Sequence, residues 1–372
     1  MRFIVSSSTL QKNLQSIGGV IGTNHVLPIL ESFLFTLEKG RLTVVSTDLE
    51  TTMKVSIEVQ SKDEGQLCVQ AKVLMDYLKN LPEQPITFDV NPADFSIDIT
   101  SEQGKYKVMG EDAKSFPAEP KSEGTTQFAM SAAELSDGIA KTLVAVSNDD
   151  LRPAMCGVYF DMNPGSLTLV ATDAHRLVRC TKTDVACPAN GEHFIVPRKA
   201  LVQLKNNLNT STEVTLSYNQ NHLFVDGEHI HLSCRLIDAK FPDYKMVIPA
   251  DNPFRMTVNR LDFVSALRRV SVFANKTTNQ VVFDIVGNSL HLYAQDVDFS
   301  FEGNEQMACQ YSGEDMKIAF NSKLLLELLL VLDTDEVVFE LSTSNRAGLM
   351  KPVVQRDHED LLMLMMPMMI GV

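Results

Sequence analysis

The chain has 372 residues, 44% hydrophobic and 22% charged, so it can build ordinary folded cores and is not a disordered protein. Its formal net charge of −14 excludes a surface that attracts nucleic acid everywhere, but it is compatible with a local basic lining on an acidic body. No segment supplies the roughly 18 consecutive apolar residues of a membrane helix, and the N-terminus turns polar too early for a signal peptide. We therefore expect a cytoplasmic protein without membrane contact.

The elements predicted along the chain follow one pattern three times. The segments Leu42-Thr-Val-Val-Ser-Thr-Asp48, Leu167-Thr-Leu-Val-Ala-Thr-Asp173 and Leu290-His-Leu-Tyr-Ala-Gln-Asp296 resemble one another, with offsets of 125 and 123 residues. A period of this length is too long for a solenoid repeat and matches a whole domain. The repeat predicts three domains, at residues 1–122, 123–249 and 250–372.

Each copy is predicted to hold two helices among short strands. In the first copy, apolar spacing predicts helices over Thr9–Val20 and Lys72–Leu81. In the middle copy, Ser131 and Glu134 have the spacing of a capping box, and a second helix follows Pro197. In the third copy the predicted helices are Asn259–Val272 and Asn321–Leu332.

The strands between these helices are joined by short turns such as Asn163-Pro-Gly165, which favours antiparallel hairpins over parallel crossovers. Two helices on one face of antiparallel sheets make an α+β domain. The predicted fold class is therefore α+β, with three repeated domains, sheets outside and helices on an inner face.

No pattern of residues points to catalysis, a metal or another cofactor. The six cysteines contain no Cys-x-x-Cys pair, and we expect them to be buried small apolar residues in a reducing compartment. Thr172-Asp-Ala-His-Arg176 has residue types used in acid–base chemistry, but Asp173 and His175 are poorly placed for a shared site. The histidines at 222, 229 and 231 lie on one hairpin with no carboxylate at ligand spacing.

A row of three domains leaves a free sheet edge at each end, and closure of two chains head to tail into a ring removes both edges. The candidate edge of the first domain is Lys105-Tyr106-Lys107. The candidate edge of the third domain combines Val272-Phe273 with Asp298 and Glu302. Opposite charges around apolar anchors favour such a homodimer contact. That these are ordinary edge charges is an equally weighted alternative.

Basic residues are concentrated on or beside the predicted helices, although acidic residues outnumber basic ones by 47 to 33 in the whole chain. Helices lining a ring would form a positive channel that holds duplex DNA through phosphate contacts, without sequence specificity. The alternative for any one of these residues is a solvated side chain. The candidate channel residues are Lys12, Lys72, Lys79, Lys141, Arg152, Arg198, Lys199, Lys205, Arg268, Arg269 and Lys323.

Several motifs resemble those of the bacterial DNA polymerase III β subunit family, the β sliding clamps, over the full length of the chain. They are Leu27-Pro-Ile-Leu30, Thr47-Asp-Leu-Glu50, Ala171-Thr-Asp-Ala-His-Arg-Leu177, Val196-Pro-Arg-Lys199, Phe241-Pro-Asp-Tyr244 and Met366-Pro-Met368. The resemblance implies a homodimeric ring around duplex DNA that is not an enzyme. It also implies a clamp loader, the DNA polymerase III alpha subunit and other proteins with clamp-binding motifs as partners. A ring that binds proteins without encircling DNA is the alternative function.

The resemblance also implies a protein-binding cleft between the second and third domains. Its residues would be Met155, Thr172, Ala174, His175, Arg176, Leu177, Pro242, Val247, Leu364, Met366, Pro367, Met368, Met369 and Ile370. The segment Leu361–Ile370 is too apolar for a free tail, and its unbranched methionines suit a pliable surface for Leu and Phe side chains of short peptides. The alternative, an ordinary last strand, is favoured up to Leu364.

The chain departs from the family pattern at a few places. Asn24-His25 stands where the family often carries a DNA-contacting arginine, and Asn148-Asp-Asp150 forms an acidic loop beside Arg152. Met246 and Met369-Ile370 replace positions that are often basic or otherwise different, and Gly371-Val372 extends the end. We therefore expect the cleft to prefer more apolar partner motifs.

Overall fold

The computed structural model describes residues 1–23, 26–188 and 191–370. In this part of the chain the helices are α1 (Ser7–Gly18), α2 (Ala71–Lys79), α3 (Ala132–Leu143), α4 (Arg198–Asn207), α5 (Arg260–Ser271) and α6 (Ser322–Leu330). The strands up to α3 are β1 (Arg2–Ser6), β2 (Ser32–Glu38), β3 (Arg41–Thr47), β4 (Thr51–Glu58), β5 (Gly65–Gln70), β6 (Pro85–Val90), β7 (Ser96–Thr100), β8 (Lys105–Glu111) and β9 (Thr126–Ser131).

The remaining strands lie in the middle and third copies. From α3 to residue 235 they are β10 (Gly157–Asn163), β11 (Ser166–Thr172), β12 (Arg176–Thr183), β13 (His193–Pro197), β14 (Glu213–Tyr218), β15 (His222–Asp226) and β16 (His231–Arg235). In the third copy they are β17 (Phe254–Asn259), β18 (Gln280–Val286), β19 (Ser289–Asp296), β20 (Phe301–Ala308), β21 (Gln310–Ser312), β22 (Met316–Asn321), β23 (Glu336–Leu341), β24 (Gly348–Pro352) and β25 (Glu359–Met365).

The described residues form two compact units. The first consists of residues 1–136 and 199–236, and the second of residues 137–198 and 237–372. The first unit contains a 12-stranded sheet in the order β1-β6-β7-β8-β5-β2-β3-β4-β16-β15-β14-β9. The second contains a 9-stranded sheet, β13-β10-β11-β12-β25-β24-β23-β17-β21, and a 4-stranded sheet, β20-β19-β18-β22. Neighbouring strands pair antiparallel, which confirms the predicted α+β class.

The helices pack on these sheets through their apolar faces. In the first unit α1 buries Leu10, Leu14 and Ile17 against β1, β3 and β4, and it lies beside α2. In the second unit α5 lies beside α6 and packs on β17 to β20. The predicted start of α1 at Thr9 is two residues late, because the Ser6 hydroxyl caps the helix by accepting from the Thr9 N–H at 3.4 Å.

The expected burial of the cysteines is found at five positions. Cys68, Cys180, Cys187, Cys234 and Cys309 are buried free thiols, and burial raises the pKa of Cys68, Cys180 and Cys234 to about 12. Cys156 is only half-buried. None of the helices in the described part is long and apolar enough to cross a membrane.

Candidate partner-binding cleft and basic helix surface

The turn between β11 and β12, residues 172–176, is fixed by its own side chains; we call it the docking turn. The Asp173 carboxylate accepts from the His175 and Arg176 N–H groups, both at 2.9 Å. The buried Thr172 hydroxyl donates to the Arg176 carbonyl at 2.7 Å and accepts from the Ala174 N–H at 3.2 Å. Ala174 has a φ of 73°, in the left-handed region that side chains rarely adopt. Threonine and aspartate therefore hold a strained turn in one shape.

The first copy builds the same turn 125 residues earlier, between β3 and β4. Thr47 donates to the Thr51 carbonyl at 3.2 Å, Asp48 accepts from the Glu50 N–H at 3.0 Å, and Leu49 has a φ of 78°. Among the described residues of the third copy, the turn between β19 and β20 shares with them the contact from the Asp298 N–H to the Asp296 carboxylate at 3.1 Å. The repeat seen in the sequence is thus a repeat of one hairpin turn, and it has diverged in the third copy.

An apolar cluster in the second unit lies under the docking turn. Leu177, which directly follows the turn, packs with residues from β11, β13, β24 and β25 and from the 3-10 turn at Tyr244–Val247. The buried members are Val170, Leu177, Ile195, Phe241, Tyr244, Ala347, Leu349, Leu362 and Leu364. Tyr244 donates its hydroxyl to Asp161 at 3.1 Å, and burial followed by the Asp161 charge raises the pKa of Tyr244. The phenol therefore stays neutral and anchors the segment that carries Pro242 and Val247.

The end of the chain lies directly against the docking turn. Leu177 pairs with Leu364 and Arg176 with Met365 across β12 and β25, and the Met366 N–H donates to the His175 carbonyl at 2.8 Å. We call residues 366–370 the tail segment. It continues along β22, where the Met368 N–H donates to the Ala319 carbonyl at 2.8 Å.

A depression of about 310 Å³ opens beside the tail segment. Four residues of the tail, Pro367 to Ile370, line it together with Ser344 and Asn345. Met369 is 95% exposed, so an unbranched apolar side chain stands in solvent at the rim. Ser344 and Asn345 were missed in the sequence, because two polar residues in a loop give no hydrophobic or charge signal.

The predicted cleft residues fall into two groups by exposure, and the depression itself is lined by Pro367, Met368, Met369 and Ile370 among them. Thr172, Arg176, Leu177 and Leu364 are buried and support the surface from below. Arg176 is held by Asp173 at 3.0 Å, by Glu327 at 2.7 Å and by the Leu324 carbonyl at 3.1 Å. The exposed or half-buried residues available to a ligand are Met155, Ala174, His175, Pro242, Val247, Met366, Pro367, Met368, Met369 and Ile370.

Most of the predicted channel residues are exposed on helices. Within residues 1–23, 26–188 and 191–370, several of them form no ion pair: Lys12, Lys72, Lys79, Lys205, Arg268 and Lys323. Lys199 pairs with Asp48, and Arg269 pairs with Glu305 through two nitrogens. Arg152 pairs with Asp149 at 2.9 Å, and Arg198 donates to Asn148 at 2.9 Å. The acidic loop thus occupies both of these arginines, which lowers their availability for phosphate.

Lys141 was predicted wrongly as a channel residue. Its amine is buried and donates to Asp137 and to both oxygens of Glu359, each at 2.7 Å. Lys182 reaches the same two carboxylates. We call Asp137, Lys141, Lys182 and Glu359 the ion quartet. Burial opposes ionisation of Asp137, but hydrogen bonds from Lys141 and Lys182 outweigh burial and hold its pKa well below the ordinary range.

The predicted edge strands are both open in the described part of the chain. Strand β8 pairs with β7, and it meets β5 only at Gly110 and Glu111, so one side of Lys105-Tyr106-Lys107 is free. Tyr106 packs on Tyr77 at 4.7 Å between ring centroids.

Strand β20 is the outer strand of the 4-stranded sheet. Phe273 lies over β20 at Gly303, where a Cβ would come within 2.6 Å of its ring, so no larger residue fits there. Asp298 and Glu302 are exposed beside it. The sequence prediction missed Phe299 and Phe301, which stack on each other at 5.8 Å and are largely exposed.

The prediction that no carboxylate lies near the hairpin histidines is wrong at one position. Strand pairing places Asp226 opposite His231, and the two side chains are in contact, so a carboxylate does lie beside these histidines. No group of three or more potential metal ligands occurs among the described residues. The departures at Asn24-His25 and Gly371-Val372 lie outside the described residues.

Known proteins of one family match this chain along its whole length. Three family models match: DNA polymerase III beta subunit N-terminal domain at residues 1–120, central domain at 129–243 and C-terminal domain at 245–368. The beta sliding clamp of Pseudomonas aeruginosa is 29% identical over 371 residues, covering 99% of this chain and 100% of that protein. That of Synechocystis is 28% identical, covering 95% and 96%.

Solved structures agree with this. The DNA polymerase III subunit beta sliding clamp of Pseudomonas aeruginosa bound to griselimycin has a TM-score of 0.93 at 28% identity, with 100% of both chains covered. The Bartonella birtlesii sliding clamp bound to griselimycin has a TM-score of 0.93 at 29% identity, with the same coverage.

Proposed function

Because the chain belongs to the DNA polymerase III beta subunit family, we propose that it tethers a replicative polymerase to duplex DNA as a ring-shaped clamp. It is a processivity factor of DNA replication and not an enzyme. The observation that carries the proposal is the cleft: a fixed turn, an apolar floor and a methionine-rich tail segment meet in one compact unit. The clamp holds DNA by enclosing it, so strong binding to DNA is not required.

The cleft is suited to a short apolar peptide. The exposed Met366 and Met369 offer flexible, polarisable contacts, and the exposed side chain of His175 on the docking turn supplies a polar group that can fix orientation. Leucine and phenylalanine side chains of the partner would occupy the depression beside Pro367 and Met368. We propose that the DNA polymerase III alpha subunit, a clamp loader and other proteins with such motifs compete for this cleft.

The exposed helix cations are the proposed DNA contacts. Lys12, Lys72 and Lys79 in the first unit and Arg268 and Lys323 in the second face solvent. Such side chains bind phosphates independently of the DNA sequence, whereas the remaining surface of the protein is acidic and repels DNA. We propose that Lys141 takes no part, because its charge is used within the ion quartet.

The two open edges support a head-to-tail homodimer. We propose that β8 of one chain pairs with β20 of the other, twice per ring, which removes both free edges. The lysines around Tyr106 would face Asp298 and Glu302, and the aromatic rings would form the apolar centre. The clamp is proposed to act in the cytoplasm, where replication takes place.

Retention on circular and linear DNA tests this function. The protein, loaded on nicked circular duplex DNA, should stay bound through gel filtration at high salt and should be lost after the circle is cut. Enclosure predicts this difference because a ring leaves DNA only at an end. Equal loss from circular and linear DNA would instead support the alternative of a protein-binding ring that does not enclose DNA.

A further inference from the structure

The hydrophobic pattern of the last strand, β25, does not by itself determine which of its residues pair with which residues of the neighbouring strands. It lies between β12 and β24, and all five residues from Leu361 to Met365 are buried. These residues are Leu, Leu, Met, Leu and Met. A shift of two places that brings Met363 to the position of Leu361 would put leucine or methionine at four of the five buried positions and Pro367 at the fifth, whereas the opposite shift would bury Glu359 and Asp360 there. Register is normally specified because one face of a strand is buried and the other solvated. That difference is missing here.

The ion quartet marks one end of this strand pair. Lys182 on β12 lies directly opposite Glu359 on β25, and both side chains are only 2% exposed. Asp137 and Lys141 complete the quartet from α3, so two ammonium groups face two carboxylates. Arg356, whose side chain is about half exposed, also donates to Asp137 at 3.1 Å and pairs with Asp333. Buried charges are tolerated only when each has its partners, and removal of one partner leaves an uncompensated charge.

The cleft lies at the other end of the same strand pair. Arg176 pairs with Met365, and the tail segment begins at the next residue. The distance from Glu359 to Met365 along the strand is about 20 Å. A slip of two residues would move Glu359 by about 7 Å, out of reach of both lysines, and would displace the tail segment by the same distance.

Other polar contacts of β25 do not distinguish registers in this way. Gln355 bonds to the N–H and carbonyl of Leu361, groups that any residue at that place would present. Asp360 pairs with Arg179, but its side chain is largely exposed, and such pairs contribute little. The positions that correspond to Asp137, Lys141 and Lys182 in the first copy, 125 residues earlier, are Lys12, Ser16 and Ile57. The first copy therefore lacks the three charged residues that the middle copy contributes to the quartet, and the third copy contributes Glu359.

We propose that the ion quartet locks the register of β25 against β12 and thereby positions the tail segment in the partner-binding cleft. Its four residues are positioning residues, since they lie at the far end of the strand pair and do not touch the bound peptide. The inference rests on the proposed cleft, but the register itself can be measured without any partner.

The first test is peptide affinity. Glu359→Gln removes one carboxylate, and Asp360→Asn is the matched control at the adjacent, exposed position. Binding of a fluorescein-labelled peptide ending in Leu-Phe is followed by fluorescence polarisation. We expect Glu359→Gln to weaken binding by about tenfold or more, while Asp360→Asn stays within about twofold of the parent. Parent-like binding by a folded Glu359→Gln variant would overturn the proposal.

A variant with an apolar quartet separates register from stability. Replacement of Asp137 and Glu359 by leucine and of both lysines by methionine removes all four charges of the quartet. Arg356 loses its contact with Asp137 but keeps its ion pair with Asp333, so the protein should fold. A register lock predicts that this folded variant, verified by its thermal unfolding, binds the peptide at least about tenfold more weakly than the parent. If the quartet contributes only stability, the variant binds as well as the parent, and the proposal is wrong.

Disulfide cross-linking measures the register directly. Cys180 lies opposite Leu361, so Leu361→Cys should form a disulfide with it in the parent background. Met363→Cys reports a slip of two residues. With the apolar quartet, the first cross-link should decrease and the second appear. An unchanged yield of the first cross-link would refute the lock, whereas a parent chain that binds no peptide would refute the proposed cleft and leave the register result standing.

Discussion

At the scale of single residues, the hydrogen bonds of the Thr172 hydroxyl stabilise the conformation of the docking turn. Thr172→Val keeps the volume but leaves the Ala174 N–H and the Arg176 carbonyl without this partner. We expect a loss of about 1–3 kcal/mol in the free energy of unfolding and weaker binding of the labelled peptide. Denaturant unfolding and fluorescence polarisation measure the two effects, and Thr172→Ser, which retains the hydroxyl, should behave like the parent.

The repeat supplies a matched control for this substitution. Thr47 makes the corresponding bonds in the first copy, so Thr47→Val should lower stability by a similar amount and leave peptide binding unchanged. If Thr47→Val weakened peptide binding as much as Thr172→Val, the effect would be global and the docking turn would have no special role.

The carboxylate of Asp137 gives a pH-dependent prediction. Because its folded pKa is depressed, Asp137 stabilises the protein above its unfolded value near 3.9, and this contribution is lost as the pH falls below about 4. Asp137→Asn should therefore cost about 2 kcal/mol at pH 6, less than a fully buried pair because the side chain is partly exposed. The difference from the parent should shrink at pH 3, as measured by urea unfolding. An equal difference at both pH values would show that the charge of Asp137 is not responsible.

The burial of Lys141 is a property of a single residue that could not be predicted from the sequence. Helical spacing placed it away from the apolar face of its helix, among the basic residues predicted to be exposed. Its burial is decided by Lys182 and Glu359, which are 41 and 218 residues away in sequence. In contrast, Thr172 and Asp173 bond within four residues, so their role was visible as a motif. Local chemistry could be predicted, and long-range charge pairing could not.

At the scale of elements, the tail segment is a separable part of the cleft. Beyond β25 it is joined to the second unit by the contacts from Met366 to His175, from Met368 to Ala319 and from Gln280 to Met369. Deletion of residues 366–372 should therefore lower the affinity for the peptide by about 100-fold or more and leave the dimer dissociation constant unchanged. Polarisation and sedimentation velocity test both statements. Unchanged peptide affinity would exclude the tail segment from the cleft.

The helices and hairpins were predicted well because their signals are short-range. Asn259 and Asn321 cap α5 and α6 and mark their starts to within one residue. The pairing of β12 with β25 gave no such signal, since strands from different copies meet through contacts far apart in the chain. The position of the cleft came from resemblance to a family, and its polar wall at Ser344 and Asn345 needed the structure.

At the scale of the whole molecule, the open edges β8 and β20 determine how chains associate. Phe301 at the start of β20 stacks on Phe299, and both rings expose much of their surface. An exposed pair of stacked aromatic rings is typical of an interaction surface. Burial of one such side chain contributes about 1.5–3 kcal/mol. A charge at Phe301 should therefore oppose the proposed contact with β8, where the edge carries Tyr106 between two lysines.

Phe301→Lys tests this contact because it removes an aromatic group and adds a charge of the same sign as Lys105 and Lys107. The loss of one side chain on each of two equivalent interfaces should raise the dimer dissociation constant by about 100-fold or more. Sedimentation velocity over a concentration series measures this change. Val286→Lys, at an exposed position on β18 of the same sheet, is the control and should remain as dimeric as the parent. A Phe301→Lys protein that dimerises like the control would place the interface away from β20, and the head-to-tail ring would need a different edge.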